Sequence, residues 1–126
     1  PTALPSATPD ATAQDAAWID AEGALERLGQ KVELWQRLFS DALKPLDAEV
    51  QAWQQELERG DLASARRRMH TLKGVAATVG AMQLSLAAKA LEPFQAANDP
   101  AAVAQASTLL AQAIAGTQQA WQAHPL

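Results

Sequence analysis

Cysteine is absent from all 126 residues, which excludes disulfides, iron–sulfur clusters and thiol catalysis and fits a reducing compartment. Tyrosine is missing too, phenylalanine occurs only twice, and isoleucine and valine are scarce beside alanine and leucine. Strands draw on β-branched and aromatic residues, whereas Ala, Leu, Gln, Glu and Arg lose little side-chain freedom in a helix. The composition therefore predicts an all-α protein, and the length suits one domain. No apolar run approaches the roughly 20 residues of a transmembrane helix. The first residues show neither the basic start nor the apolar stretch of a signal peptide. Positive charge is the minority: 10 Lys and Arg stand against 14 Asp and Glu, a net charge of −4 that repels nucleic acid and anionic membrane. Arg66-Arg67-Arg68 splays around its helix and forms no single patch. A phosphate-cradling glycine loop, a Walker lysine and a metal-ligand cluster are all missing, as is the Glu-x-x-His pair of a di-metal bundle.

What is present is helical periodicity. Residues 1–17, PTALPSATPDATAQDAA, hold three prolines and no sustained pattern, and read as a linker. Asp20–Leu28 can form a short helix ended by Gly29. From Lys31 onward Val32, Leu34, Trp35, Leu38, Phe39, Ala42, Leu43 and Leu46 recur at three- and four-residue spacing, continued by Val50, Trp53 and Leu57. Pro45 either kinks this helix or breaks it in two. Arg59-Gly60-Asp61 stops one helix and caps the next, which is predicted over Leu62–Val79 with Gly80 as its stop. A further helix is expected over Met82–Ala97, bent at Pro93, and a last one over Ala101–Trp121, with Pro100 in the tolerated first turn. Short connections between long amphipathic helices predict an antiparallel four-helix bundle over residues 18–122 with a short additional N-terminal helix. Residues 123–126, including His124, read as a frayed end. Trp18, Trp35, Trp53 and Trp121 are expected in the core or at its edge.

The predicted helix over 62–79 carries the chemistry. At about 100° per residue, Ala65, Met69, Leu72, Ala76 and Val79 fall in one stripe that must face the core, and His70 lies about 140° from its centre. His70 therefore points outward, sharing its side of the helix with Arg66, Lys73, Gly74 and Ala77. An exposed histidine is usually unremarkable; the setting of this one is not. Gly74 sits mid-helix, where glycine costs about 1 kcal/mol relative to alanine, and it leaves no side chain one turn past His70. That bare strip would let a second protein bring a reactive group onto the imidazole. Lys73 and Arg66 put positive charge beside the ring. An exposed ion pair is worth only about 0.2–1 kcal/mol, so Lys73 would orient a phosphoryl group without trapping it, as a carrier requires. Glu92 stands about as far beyond the Gly80-Ala81 pivot as His70 stands before it. Its carboxylate either accepts the proton of Nδ1, leaving Nε2 to attack, or lies free in solvent.

His70-Thr71-Leu72-Lys73-Gly74, followed by Gly80, Leu84, Leu91 and Glu92, resembles the motif of histidine-containing phosphotransfer (HPt) domains, as found at the C-terminus of hybrid sensor histidine kinases. The resemblance extends to Ile19-Asp20, Leu25, Leu28-Gly29, Leu34, Leu38 and Phe39, and so covers about residues 18–95. One departure is Gln30, where the family often has a second glycine. The resemblance implies that His70 accepts a phosphoryl group from a receiver-domain aspartyl phosphate and passes it to a response-regulator aspartate. In it Lys73 corresponds to the lysine near the phosphate and Gly74 to the glycine that makes room for the receiver; Arg66 and Glu92 are further candidates. The expected partners are the receiver domains of a hybrid kinase and of a response regulator, with Leu28 and Phe39 as candidate apolar docking residues. No cofactor is expected on this domain; Mg2+ belongs to the partner receiver. Further expectations are a cytoplasmic, monomeric carrier without kinase activity of its own, either free or attached to an inner-membrane sensor kinase. A helical adaptor that docks a receiver without being phosphorylated is the alternative.

Overall fold

Asp20, Asp61 and Asp99 each stand one residue before a helix, and each side chain accepts backbone N–H groups of the first turn. Such caps satisfy donors that the helix cannot pair internally and are worth about 1 kcal/mol each. The computed structural model describes residues 18–124; the predicted linker 1–17 lies outside them. The described residues form α1 (Ala21–Arg27), α2 (Val32–Leu43), α3 (Leu46–Glu58), α4 (Leu62–Val79), α5 (Met82–Leu91) and α6 (Pro100–Ala123), with no strand among them. The fold is all-α, as expected.

Pro45 breaks the helix instead of kinking it. Lys44 and Pro45 form a turn between α2 and α3, and the Pro45 carbonyl opens α3 by accepting the Glu49 N–H at 2.9 Å. The helix expected over Met82–Ala97 is shorter than predicted and ends at Leu91. Pro93 has no N–H to continue the ladder. The chain tightens there into Glu92 N–H to Lys89 O and Phe94 N–H to Leu91 O bonds. Phe94 then leaves the helix line to meet Trp53, ring centroids 6.0 Å apart.

α4 is the central element and packs against α1, α2, α3 and α5, while α6 closes against α3 and α5. Its inward stripe is the one predicted: Ala65, Met69, Leu72, Ala76 and Val79 are all buried. They join Trp35, Phe39, Trp53, Leu84, Leu110 and Ile114 in one core, where each large apolar side chain contributes about 1.5–3 kcal/mol by leaving water. The Trp35 indole N–H donates to Val79 O at 2.7 Å, so its one polar atom is not orphaned. Trp35 and Trp53 are fully buried, and Trp18 and Trp121 are half-buried.

The α4–α5 corner is pinned from the front of the chain. Gly80 adopts φ +84°, and a Cβ there would stand 2.5 Å from the Asp20 carbonyl oxygen. Only glycine fits both conditions. Asp20 N–H donates to Gly80 O at 2.8 Å, and the Arg27 guanidinium donates to the carbonyls of Ala77 and Thr78 at the end of α4. Between α1 and α2, Gly29 and Gln30 both have positive φ, 67° and 64°. Gln30 thus takes a left-handed conformation that costs an L-residue about 1–2 kcal/mol, at the position where the resemblance favours a second glycine.

Two expectations are corrected by packing. Phe39 is not a surface residue: it is 0% exposed and stacks on Trp121 with centroids 4.0 Å apart. The end is not frayed at Ala123 or His124, since Ala123 belongs to α6 and the His124 ring lies edge-on to Trp35 at 5.5 Å.

Candidate functional site

α4 and α5 form a helical hairpin about Gly80-Ala81. Ser85 of α5 holds it by donating its hydroxyl to Lys73 O at 3.0 Å. This register brings Glu92, just past the end of α5, opposite the outer face of α4. One Glu92 oxygen, Oε2, lies 3.2 Å from His70 Nδ1. The other, Oε1, accepts from Lys73 Nζ at 2.9 Å. His70, Lys73 and Glu92 are therefore joined through one carboxylate.

The three side chains are graded in exposure: 64% for His70, 31% for Lys73 and 19% for Glu92. The sheltered carboxylate anchors the group and the ring projects from it. The Lys73 hydrogen bond is the main cause holding the Glu92 carboxyl below the ordinary carboxylate range, partial burial opposes it, and the His70 hydrogen bond adds to it. With Glu92 ionised, the nitrogen facing it carries the proton, since two acceptors cannot share one hydrogen bond. In the neutral ring that leaves the lone pair on His70 Nε2, which has no hydrogen bond among the described residues.

Gly74 follows on the exposed side of α4. A Cβ placed on it would meet nothing within 4 Å, so nothing among the described residues requires a glycine here. Arg66 lies one turn before His70, exposed; it stands outside the His70–Glu92–Lys73 hydrogen-bond network. The site proper is thus three linked side chains with a bare glycine step beyond them.

Sequence reasoning missed a second charged network on the same helix. Arg68 donates to both oxygens of Glu56 on α3, at 2.9 and 2.8 Å, and also pairs with Glu49. The Glu56 side chain is only 8% exposed. The Arg68 hydrogen bonds are the largest influence lowering its carboxyl from the ordinary value, with burial acting against them. Arg68 looked like one of three solvated arginines. The signal that marks it is angular: Arg68 lies nearer the Ala65–Met69–Leu72 stripe than Arg66 or Arg67 does, so its guanidinium must end beside the helix packed there.

The model of the Hpt domain family matches residues 18–120, nearly the whole described chain. The protein belongs to the Hpt domain family. Hpt domains serve phosphotransfer in two-component signalling and interact with receiver domains, and both general properties come with membership. Neither curated proteins nor solved structures returned a match. Among the described residues of this Hpt domain, no helix is long and apolar enough to cross a membrane. No group of three or more metal-ligating side chains is assembled among them either.

Proposed function

We propose that His70 is the phosphoacceptor of this Hpt domain, taking the phosphoryl group from a receiver-domain aspartyl phosphate and delivering it to a response-regulator aspartate. The observation that carries this reading is the outward imidazole with Nδ1 on Glu92 and Nε2 free. In the forward step the Nε2 lone pair attacks phosphorus, the bond to the aspartyl oxygen breaks, and its electron pair returns to the carboxylate. The ring keeps its Nδ1 proton and becomes cationic, and Glu92 faces that developing charge. No proton has to leave during the transfer, and the reverse path serves delivery to the next aspartate.

Lys73 supplies positive charge near the incoming phosphoryl group, and Gly74 leaves room for the receiver's acidic pocket. That pocket brings the Mg2+ that neutralises the phosphoryl oxygens; the Hpt domain contributes no cofactor. Arg66, at the margin, adds long-range attraction only. The apolar groove of Leu38, Ala42, Pro45 and Val75, with Val75 43% exposed, offers a receiver an apolar footing in place of the buried Phe39. We read the fold as an antiparallel four-helix bundle of α2–α3, α4, α5 and α6, with α1 as the additional front helix; the α4–α5 hairpin supports that reading. The carrier has no kinase activity of its own, acts as a monomer in the cytoplasm, and is a module of a hybrid sensor kinase or a free relay protein.

The decisive experiment is incubation with a phosphorylated receiver. The domain should acquire an acid-labile, base-stable phosphate, and His70→Gln should abolish it with helical content unchanged by circular dichroism. Labelling that persists in the variant would refute His70 as the acceptor. Receiver binding without any label in the native protein would favour the adaptor reading.

A further inference from the structure

The amine expected to serve the phosphoryl group is already engaged. Lys73 Nζ sits on Glu92 Oε1 at 2.9 Å, and the same carboxylate holds His70 Nδ1 through Oε2 at 3.2 Å. With the ring neutral, the trio sums to zero charge: one cation, one anion and an imidazole. A phosphoryl group on Nε2 adds close to two negative charges beside a ring made cationic. Lys73 then has two anions within reach of its flexible stem, one fixed and one transient. Glu92 is the fixed one. It is four-fifths shielded from solvent, follows directly on α5 and is succeeded by Pro93, whose own φ is fixed by its ring.

We infer that Glu92 competes with the phosphoryl group of His70 for Lys73, and that this competition keeps the phosphohistidine short-lived enough to be passed on. This rests on His70 being the acceptor and concerns how long the group stays, not whether it arrives. Glu92 is here a positioning residue with two separable jobs. Its oxygen toward Nδ1 selects the ring tautomer, and its negative charge withholds the lysine. Glutamine at 92 keeps an oxygen for Nδ1–H and removes the charge, so the two jobs come apart. A partly exposed ion pair is worth at most a few-fold in an equilibrium, which suits a bias on a carrier better than a switch.

The test uses the whole chain, phosphorylated with phosphoramidate so that no receiver affects the readout. The lifetime of the phosphohistidine is followed by 31P NMR at pH 7.5, and the tautomer by 15N NMR of the unphosphorylated ring. Glu92→Gln should lengthen the lifetime about 1.5- to 5-fold with the Nδ1–H tautomer retained, and Lys73→Ala should shorten it by a similar factor. The double variant should match Lys73→Ala alone, because without the lysine there is nothing to compete for. An unchanged or shorter lifetime in Glu92→Gln overturns the inference. So does an equal lengthening in the Lys73→Ala background, which would mean direct repulsion between carboxylate and phosphoryl group. Failure of His70 to take phosphate at all would instead defeat the reading on which the inference rests.

Discussion

Two carboxylate–cation networks sit on α4 only two residues apart in sequence, and they differ in what they leave free. Arg68 is held at all three of its nitrogens: Nε and Nη2 donate to the two oxygens of Glu56, and Nη1 donates to Glu49. Every group in that network serves the joint between α3 and α4. At His70 the carboxylate is shared between a ring and a lysine, and one ring nitrogen has no partner among the described residues. The first arrangement uses Arg, whose rigid bidentate geometry suits a permanent tie; the second uses Lys and His, whose partners can change. A network engaged at every nitrogen holds elements together, and one that leaves a ring nitrogen open at the surface is available for chemistry.

The largest effect is expected at Arg68. Arg68→Ala strands the Glu56 carboxylate in a nearly buried position. It should cost about 2–3 kcal/mol in urea denaturation, somewhat less than a fully buried pair would, with phosphotransfer by the folded protein unchanged. A loss below about 0.5 kcal/mol would reduce the network to an ordinary surface ion pair. Gly74→Gln should do the opposite. A Cβ at this position meets nothing within 4 Å among the described residues and the change improves helix propensity, so stability should hold or rise by up to about 1 kcal/mol. Transfer from a phosphorylated receiver should nevertheless fall about tenfold or more, because the approach to Nε2 is displaced. Equal transfer rates would defeat the close-approach argument.

Acid should sharpen the distinction with a smaller effect. The carboxyl of Glu56 is held below its unfolded value, chiefly by Arg68. A group depressed in the folded state adds stability above its unfolded pKa and loses it as pH falls through the folded one. Stability should therefore decline from roughly pH 5 downward, and less steeply in Arg68→Ala, where the cause of the depression is gone. Identical acid profiles for the two proteins would show that Glu56 does not carry the dependence.

The boundaries of α4, Leu62 and Val79, are where local signals put them, since Asp61 and Gly80 act within a turn of their own positions. The outward direction of His70 was legible for the same reason: a helix face follows from residue spacing once the apolar stripe is known. The helix expected to run to Ala97 stops at Leu91, and only the contact with Trp53 explains where Phe94 goes. Phe39 reads from sequence as a candidate docking residue because a helix wheel cannot say which neighbours cover it. Glu92 was within reach through the symmetry of the hairpin about Gly80-Ala81, yet nothing local indicated that its second oxygen would engage Lys73.

The helical class, the caps, the inward stripe of α4 and the outward histidine with its lysine and glycine are all written in the order of residues along the chain. All of these depend on interactions spanning four residues or fewer, or on composition. The tertiary structure decided which carboxylates meet which cations, because that depends on how α3 and α5 lie against α4. It thereby decided which charges act as ties and which nitrogen stays free, since pairing at a distance along the chain is a property of packing and register, and no local pattern encodes it.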